Sequence, residues 1–368
     1  MDRPLSVLSG TFSLLVVISF VQQAATQRKS SPTVLLSADE IAQLQAKAEG
    51  GNADAQASLG RAYEDGNGVL QSDQQAVKWY RTAAEQGDAK AQNSLGLMFR
   101  SGRGVEEDKA EAVKWYKKAA RKNYSAAMFN LGTAYYNGDG VGIDDVAACA
   151  WFLLAKDFGS QPAGDAVKRM EKEAGSLQAE AFAKIGDMYQ KGDDLPQSYG
   201  DAVNWYRKAA ENGAASVQMK FASLLLQGKG GSSNYEEAHR FCEKAAQQQY
   251  SPGAYCVGLL YQQGLGVAQD PTQAAKWFDE AANMGHAVAM LRLGEMYWKG
   301  EGVKQDKISA YEFIAIASTA DLPDAKREKE RLEKELNPKE LKKGQAKAVE
   351  WVRTHHPLVL KGWTPSAH

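Results

Sequence analysis

The 368-residue sequence predicts an all-α protein, an α-solenoid of helix–turn–helix repeats. Leucine-glycine pairs recur every 36 residues, at Leu59, Leu95 and Leu131. A tryptophan keeps the same step, at Trp79, Trp115 and Trp151. Residues that favour the N-cap of a helix return seven times in one register, at Ser72, Asp108, Asp144, Ser198, Asn234, Asp270 and Asp306. Because one helix pair cannot bury its own apolar face, the copies must stack.

One repeat, residues 88–123, illustrates how each element follows from the sequence. Its first helix has apolar residues at three- and four-residue spacing around Leu95 and Gly96. The Gly102-Arg103-Gly104 turn then interrupts this pattern, since glycine adopts backbone angles that other residues resist. A second helix follows, with Trp115 on its apolar face and lysines opposite. We expect Gly96, inside the first helix, to allow close approach of the tryptophan-bearing side of the second.

The copies fall into two sub-arrays. After three copies the register jumps by 54 residues, from Leu131 to Ile185, and then resumes at 36 for four more. The fifth copy is degenerate, with Ala222 in place of the helical glycine. The extra 18 residues resemble the tail after the seventh copy, because both contain a proline and then a helix of mixed charge.

For the whole chain we predict a signal peptide (1–26), a flexible leader (27–36), an N-terminal capping helix (37–53), a first array of three copies (54–159), an inserted terminal-like helix (160–177), a second array of four copies (178–321), C-terminal capping helices (322–352) and a flexible tail (353–368).

The amino terminus predicts export. Residues 11–21 form an apolar run that is too short to cross a bilayer as a helix. Small residues at Ala24, Ala25 and Thr26 follow it, and then a polar stretch, as at the cleavage site of a secretory signal peptide. We expect a periplasmic or secreted protein with no transmembrane segment after signal removal. An uncleaved N-terminal anchor is the alternative.

The three cysteines are an odd number, at Cys149, Cys242 and Cys256. Cys242 takes the inward register position of Tyr80, whereas Cys256 takes the outward position of Ser94. Side chains on opposite faces do not reach the Cβ separation of about 4 Å that a disulfide needs. We therefore expect packing residues rather than a bridge.

The repeat carries a longer motif, A-x3-L-G-x2-Y-x2-G-x-G-V followed by A-x2-W-Y-x2-A-A. The first copy shows it at Ala55, Leu59, Gly60, Tyr63, Gly66, Gly68, Val69, Trp79, Tyr80, Ala83 and Ala84. Over residues 38–320 the chain resembles the Sel-one-like repeat (SLR) family, which is tetratricopeptide-like. The resemblance implies a right-handed superhelix of antiparallel helix pairs and an adaptor or scaffold role, as in exported bacterial members with a signal peptide. A cysteine-rich branch binds or hydrolyses β-lactams, but its paired cysteines in every repeat are absent here.

Candidate binding residues lie on the first helices, three residues before and four after the glycine. These positions point away from the predicted core and hold small or charged residues in the first two copies. Later copies have large apolar or aromatic side chains there, which mark binding surfaces more often than chance. Packing against the next repeat is the alternative interpretation. The candidates are Phe129, Tyr136, Met219, Leu226, Tyr255, Leu291 and Trp298.

Composition and motifs narrow the function to binding. A net charge of −1 gives no basic surplus for nucleic acid. The G-x-G turns lack the strand and the Gly-Lys-Ser/Thr of a phosphate-binding loop, and no metal-ligand spacing or nucleophile motif occurs. We expect a scaffold without enzymatic activity, cofactor or metal, which binds another protein or peptide segment along the concave first-helix surface. The alternatives are an envelope enzyme or glycan- or peptidoglycan-binding protein related to the cysteine-rich branch, and an assembly scaffold acting through its ends.

Overall fold

The computed structural model describes residues 35–174, 177–211 and 213–355, and these form eighteen α-helices and no strand. The all-α prediction is confirmed. The predicted signal peptide, the leader up to residue 34 and the tail from residue 356 lie outside the described residues. The helices are α1 (Ala38–Glu49), α2 (Ala53–Asp65), α3 (Asp73–Glu85), α4 (Ala89–Ser101), α5 (Lys109–Ala120), α6 (Ser125–Asn137), α7 (Asp145–Asp157), α8 (Gln161–Ala174), α9 (Leu177–Lys191), α10 (Tyr199–Glu211), α11 (Ala215–Leu226), α12 (Tyr235–Gln247), α13 (Ser251–Gln263), α14 (Pro271–Asn283), α15 (Ala287–Lys299), α16 (Lys307–Ser318), α17 (Pro323–Glu335) and α18 (Pro338–His355).

Seven helix pairs make up the repeats, and the remaining helices precede, interrupt or follow them. Six pairs pack together, and these are α2–α3, α4–α5, α6–α7, α11–α12, α13–α14 and α15–α16. The fourth repeat comprises α9 and α10, which follow each other along the chain. The chain divides after Gln197 into two compact units, so that α1–α9 belong to the N-terminal unit and α10–α18 to the C-terminal unit. Within the N-terminal unit, α8 and α9 both pack against α7. Within the C-terminal unit, α17 and α18 pack against α16 in the same way.

Every predicted second-helix N-cap forms. Asp108, for example, accepts from the backbone N–H of Glu111 at 2.8 Å, which satisfies a donor that the helix leaves unpaired. Ser198, whose hydroxyl accepts from the N–H of Asp201 at 3.2 Å, shows the same contact. The other five caps are Ser72, Asp144, Asn234, Asp270 and Asp306.

A glycine inside the first helix permits close packing within its own repeat in five of the seven copies, at Gly60, Gly96, Gly132, Gly258 and Gly294. A Cβ added to Gly96 would lie 2.6 Å from the ring of Tyr116, and one added to Gly132 would lie 2.6 Å from the ring of Phe152. The contact is made by the residue after the tryptophan, on the same buried side of the second helix as Trp115. The expected close approach of this side is confirmed.

The second glycine of each G-x-G turn permits close packing between repeats. Gly104, with φ at 66°, lies against the first carbonyl of the preceding second helix, at Asp73, where an added Cβ would overlap the backbone. Gly140 meets Lys109 in the same way, and Gly302 meets Pro271. The turn glycines therefore serve two purposes, since the first ends a helix in the left-handed conformation and the second lets the next repeat approach.

The residue between the two glycines contacts the preceding repeat through its side chain. Arg103 forms ion pairs with Glu64 at 3.0 Å and with Asp73 at 2.6 Å. Glu64 also accepts a hydrogen bond from the hydroxyl of Tyr80 at 2.7 Å. One loop side chain thereby joins both helices of the preceding repeat.

The next repeat makes the same contact with its charges exchanged. Asp139 takes the register position of Arg103 and pairs with Lys109 at 2.9 Å and with Arg100 at 3.6 Å. The basic residue at position 100 offers no acceptor, and the buried hydroxyl of Tyr116 has no hydrogen-bond partner there. These two interfaces therefore share a geometry but differ in charge.

The expectation that the cysteines stay apart is wrong, because Cys242 and Cys256 form a disulfide with a Cα–Cα distance of 5.8 Å. The outward position of Cys256 points away from its own second helix but towards that of the preceding repeat. Tyr80 and Ser94 take the same two register positions in the first and second repeats. A position that is outward within one repeat is therefore buried between two.

We predict that Gly104→Ala destabilises the N-terminal unit by more than about 3 kcal/mol, because it adds a backbone overlap to an unfavourable φ. Two control variants separate these terms. Gly51→Ala has a φ of 89° but open space around its Cβ, and should cost about 1 kcal/mol. Gly142→Ala has neither problem and should change stability by less than about 0.5 kcal/mol. Urea unfolding measures all three, and equal effects of Gly104→Ala and Gly51→Ala would exclude an inter-repeat role for Gly104.

Candidate binding surface

The seven predicted binding residues lie between the solvent-exposed stripe of their helices and the core. Tyr136 is the most accessible, with 36% of its surface exposed, whereas Leu291 is buried with 6% exposed. The others, Phe129, Met219, Leu226, Tyr255 and Trp298, are half-buried. The most exposed stripe of a first helix is one register position away, as at Asp54, Ser58, Arg61 and Asp65 of α2.

The structure brings three of the seven together in the C-terminal unit. Leu291 belongs to the core cluster of this unit, and Tyr255 and Trp298 pack against it from outside. Met219 and Leu226 lie on α11, in the degenerate repeat. In the N-terminal unit Phe129 and Tyr136 share α6, where the Phe129 ring lies 5.4 Å from that of Phe152.

A cleft of about 690 Å³ lies between α15 and α17 in the C-terminal unit. Helix α17 packs on α16 and leaves this space beside the first helix of the seventh repeat. The apolar lining residues are Val288, Leu291, Leu322 and Pro323. The charged lining residues are Arg292, Glu295, Asp324, Arg327, Glu328 and Arg331. We call this space the α15–α17 cleft.

The cleft arginines pair with carboxylates on their own helices. Arg292 contacts Glu295 at 3.1 Å, and Arg331 contacts Glu328 at 2.7 Å. Arg327 pairs with an aspartate one turn before it. Such partly exposed pairs three residues apart contribute little to stability, about 0.5 kcal/mol each, so their guanidinium groups can exchange partners at small cost. Sequence reasoning missed these residues, although the three-residue spacing of opposite charges could have indicated them.

Trp298 lies at the edge of this cleft with a cation on two sides. The guanidinium of Arg331 is 5.0 Å from the indole ring centroid, and the ammonium of Lys307 is 5.2 Å from it. Both distances permit cation–π attraction, which orients the ring without burying it. Tryptophan and arginine are the side chains that most often dominate binding at protein interfaces.

Tyr255 extends the surface from the sixth repeat. Its ring stacks on the imidazole of His286 with 4.5 Å between centroids. His286 is the N-cap of α15, where its Nδ1 accepts from the backbone N–H of Ala289 at 3.2 Å. Burial lowers the pKa of His286, which favours the neutral imidazole that this cap requires.

Two further kinds of site, a metal centre and a membrane span, are considered for the part of the chain that the structure describes. Within residues 35–174, 177–211 and 213–355, no three acidic, histidine or cysteine side chains are grouped as a metal site would need. In the same ranges, no helix combines the length and apolarity of a membrane span.

Stacked helix pairs of this kind define an α-solenoid, and comparison with known proteins places the chain within one family. Seven segments match the Sel1 repeat, at residues 53–88, 89–124, 125–157, 179–213, 215–250, 251–286 and 287–322. They cover more than half of the sequence, and the chain belongs to the Sel1 repeat family. The gap between 157 and 179 contains α8, and the predicted seven copies are confirmed.

Solved structures of bacterial proteins are similar to the chain over most of its length. One is a protective antigen of uropathogenic Escherichia coli with an SLR fold, 24% identical, covering 95% of this chain and 98% of that chain at a TM-score of 0.36. Another is a Sel1 repeat protein from Oxalobacter formigenes, 27% identical, covering 90% and 96% at a TM-score of 0.39. No curated protein matches the chain.

We predict that acid weakens the N-terminus of α15 through His286. Because its pKa in the folded state is lowered, its contribution to stability is complete above the unfolded value of about 6.5 and is lost as the pH falls below that value. Protonated Nδ1 can no longer accept from Ala289, and a lost N-cap costs about 1 kcal/mol. His286→Asn retains an acceptor that does not titrate. Urea unfolding measures the free energy of unfolding at pH 7 and pH 5. Its decrease should be larger for the parent chain than for His286→Asn, and identical decreases would contradict the role of His286.

Proposed function

We propose that this protein is an exported, non-enzymatic scaffold that binds a segment of another protein along its first helices, with the α15–α17 cleft as the main contact. The observation that carries this proposal is Trp298, a half-buried indole between Arg331 and Lys307 at the edge of a cleft of about 690 Å³. A large aromatic anchor beside an apolar floor and mobile charges is the composition of a binding hot spot.

The cleft provides each part of such a contact. Leu291 and Leu322 offer an apolar floor on which a partner side chain can lose its water. The arginine–carboxylate pairs on both walls present charges of either sign to the backbone or side chains of the segment. Trp298 is already oriented by its two cations, so that binding would order few additional bonds.

Residues at the corresponding positions of other repeats would make further contacts with a partner. Phe129 and Tyr136 on α6 take the same positions in the third repeat as Leu291 and Trp298 take in the seventh, 162 residues later. Helix α8 follows the α6–α7 pair as α17 follows the α15–α16 pair. Met219, Leu226 and Tyr255 take the same positions in the repeats between. We propose that these residues add weaker contacts for a partner, each within its own unit.

Two observations support export. The apolar run at residues 11–21 is followed by small and then polar residues, as in a secretory signal peptide. The buried Cys242–Cys256 disulfide is the second, because disulfides persist in oxidising compartments and are rare in the cytosol. A periplasmic or secreted location agrees with both.

The binding proposal is tested by site-specific crosslinking followed by affinity measurement. A photoreactive amino acid at Arg327, in the cleft, should capture a partner that the same group at Arg353 does not. Arg353 is the matched control, because it also pairs with a carboxylate three residues before it, at Glu350, but lies on α18 outside the cleft.

Titration of the captured partner then tests the anchors. Trp298→Ala should weaken binding by about 2 kcal/mol, which is close to thirtyfold in Kd. Arg331→Ala should have a smaller effect on Kd, and Arg353→Ala should leave Kd unchanged. Thermal unfolding of each variant distinguishes recognition from packing. The proposal fails if Trp298→Ala melts early, as a core truncation does, yet binds the partner normally at low temperature.

Export is tested by the N-terminal sequence of the protein made in its own cells. Signal removal should give a mature chain that begins between about Thr26 and Ser31. Full-length protein that retains Met1 in the soluble cytosol would contradict export and leave the binding test unaffected.

A further inference from the structure

The junction between α12 and α13, which joins the fifth repeat to the sixth, differs from the others at three linked positions. In four other repeats a first-helix glycine, at Gly60, Gly96, Gly132 or Gly258, faces an aromatic ring of the second helix. Gly60 and Tyr80 illustrate this, since an added Cβ would lie 2.8 Å from the ring. The fifth repeat has Ala222 at the glycine position and Cys242 at the aromatic position. The third change is Cys256, at the register position of Ser94.

The first two changes compensate for each other. An aromatic ring at position 242 would occupy the space that the Cβ of Ala222 needs, so the larger residue on α11 requires a smaller one on α12. Both residues are fully buried, with no exposed surface. The packing within the fifth repeat is thereby preserved.

The two cysteines also change the link to the next repeat. Tyr80, at the register position of Cys242, donates its hydroxyl hydrogen bond to Glu64 of its own repeat. The disulfide from Cys242 to Cys256 instead joins the second helix of one repeat to the first helix of the next by a covalent bond.

A second feature weakens the noncovalent packing of this junction. His239, one turn before Cys242 on α12, is buried, and its Nε2 has no hydrogen-bond partner. Its ring meets that of Tyr261 on α13 edge-on at 5.3 Å. A buried polar atom without a partner opposes docking of the two helices by about 1–3 kcal/mol. The α12–α13 junction thus combines a covalent link with an unpaired imidazole nitrogen.

We propose that docking of α13 on α12 depends on oxidation of Cys242 and Cys256, so that the C-terminal unit completes its packing only in an oxidising compartment. The two thiols lose two protons and two electrons as the S–S bond forms, and a protein or small-molecule disulfide accepts them and is reduced to two thiols. Cys242 is fully buried and Cys256 has 6% exposed, so this exchange requires an undocked α13. Once docked, the junction protects the bond from reductants.

Hydrogen exchange of the full-length mature chain tests the proposal, in a Cys149→Ala background that removes the remaining thiol. Protein is unfolded with dithiothreitol and refolded with it, and is compared with oxidised protein. Reduction should accelerate exchange in α13 about a hundredfold, the factor that the closure of a loop of about 15 residues predicts. Helices α2–α5 of the N-terminal unit are the internal reference and should not change.

A restored variant provides the matched control. Ala222→Gly with Cys242→Tyr and Cys256→Ser recreates the arrangement of Gly60, Tyr80 and Ser94, and its exchange should be the same with and without dithiothreitol. If that variant does not fold, Cys242→Ala with Cys256→Ala should exchange as fast as the reduced parent. Equal exchange of oxidised and reduced parent in α13, or two free thiols in the oxidised, denatured chain, would overturn the proposal. No partner is needed, so the result is independent of the binding test.

Discussion

The structure depends on the close approach of consecutive repeats at the second glycine of each G-x-G turn. Gly104 lies against the backbone of Asp73, and Gly140 and Gly302 lie against Lys109 and Pro271. At these distances only a hydrogen atom fits, and glycine alone provides it. Each repeat buries its apolar surface against its neighbours because this approach is permitted. The helical glycines, such as Gly96, have a second role, because they bring the two helices of one repeat together.

The interfaces share this backbone geometry but differ in side-chain chemistry. Arg103 contacts two carboxylates of the preceding repeat, whereas Asp139, in the same register, contacts two basic residues. Exchange of the two loops would therefore place like charges together. The α12–α13 junction uses a disulfide instead. Such differences favour the native order of otherwise similar repeats, because each interface accepts its own neighbour better than another.

The candidate binding surface arises where the regular array ends. Helix α17 packs on α16 but leaves the α15–α17 cleft, and its Arg331 reaches Trp298 across the edge. The next helix, α18, covers the far side of α16, where Gly344 meets the ring of Tyr311. One terminal helix therefore seals the core while the other creates a concave space. A scaffold needs both features, since its end must be closed and its surface must remain open to a partner.

The sequence by itself determined the helices, their caps and their pairing. Seven second-helix N-caps, including Asp108 and Ser198, could be predicted because a cap is a local contact within three residues. The 36-residue step likewise determined the number of repeats. The tertiary structure alone decided what meets across an interface. Cys256, outward within its own repeat, proved to lie against the preceding one, and Leu291, predicted at the surface, is buried. The contact of Arg331 with Trp298 joins residues 33 positions apart, and sequence reasoning missed it. Periodicity describes the faces of one helix pair, whereas the exposure of a face depends on how the adjacent repeat packs against it.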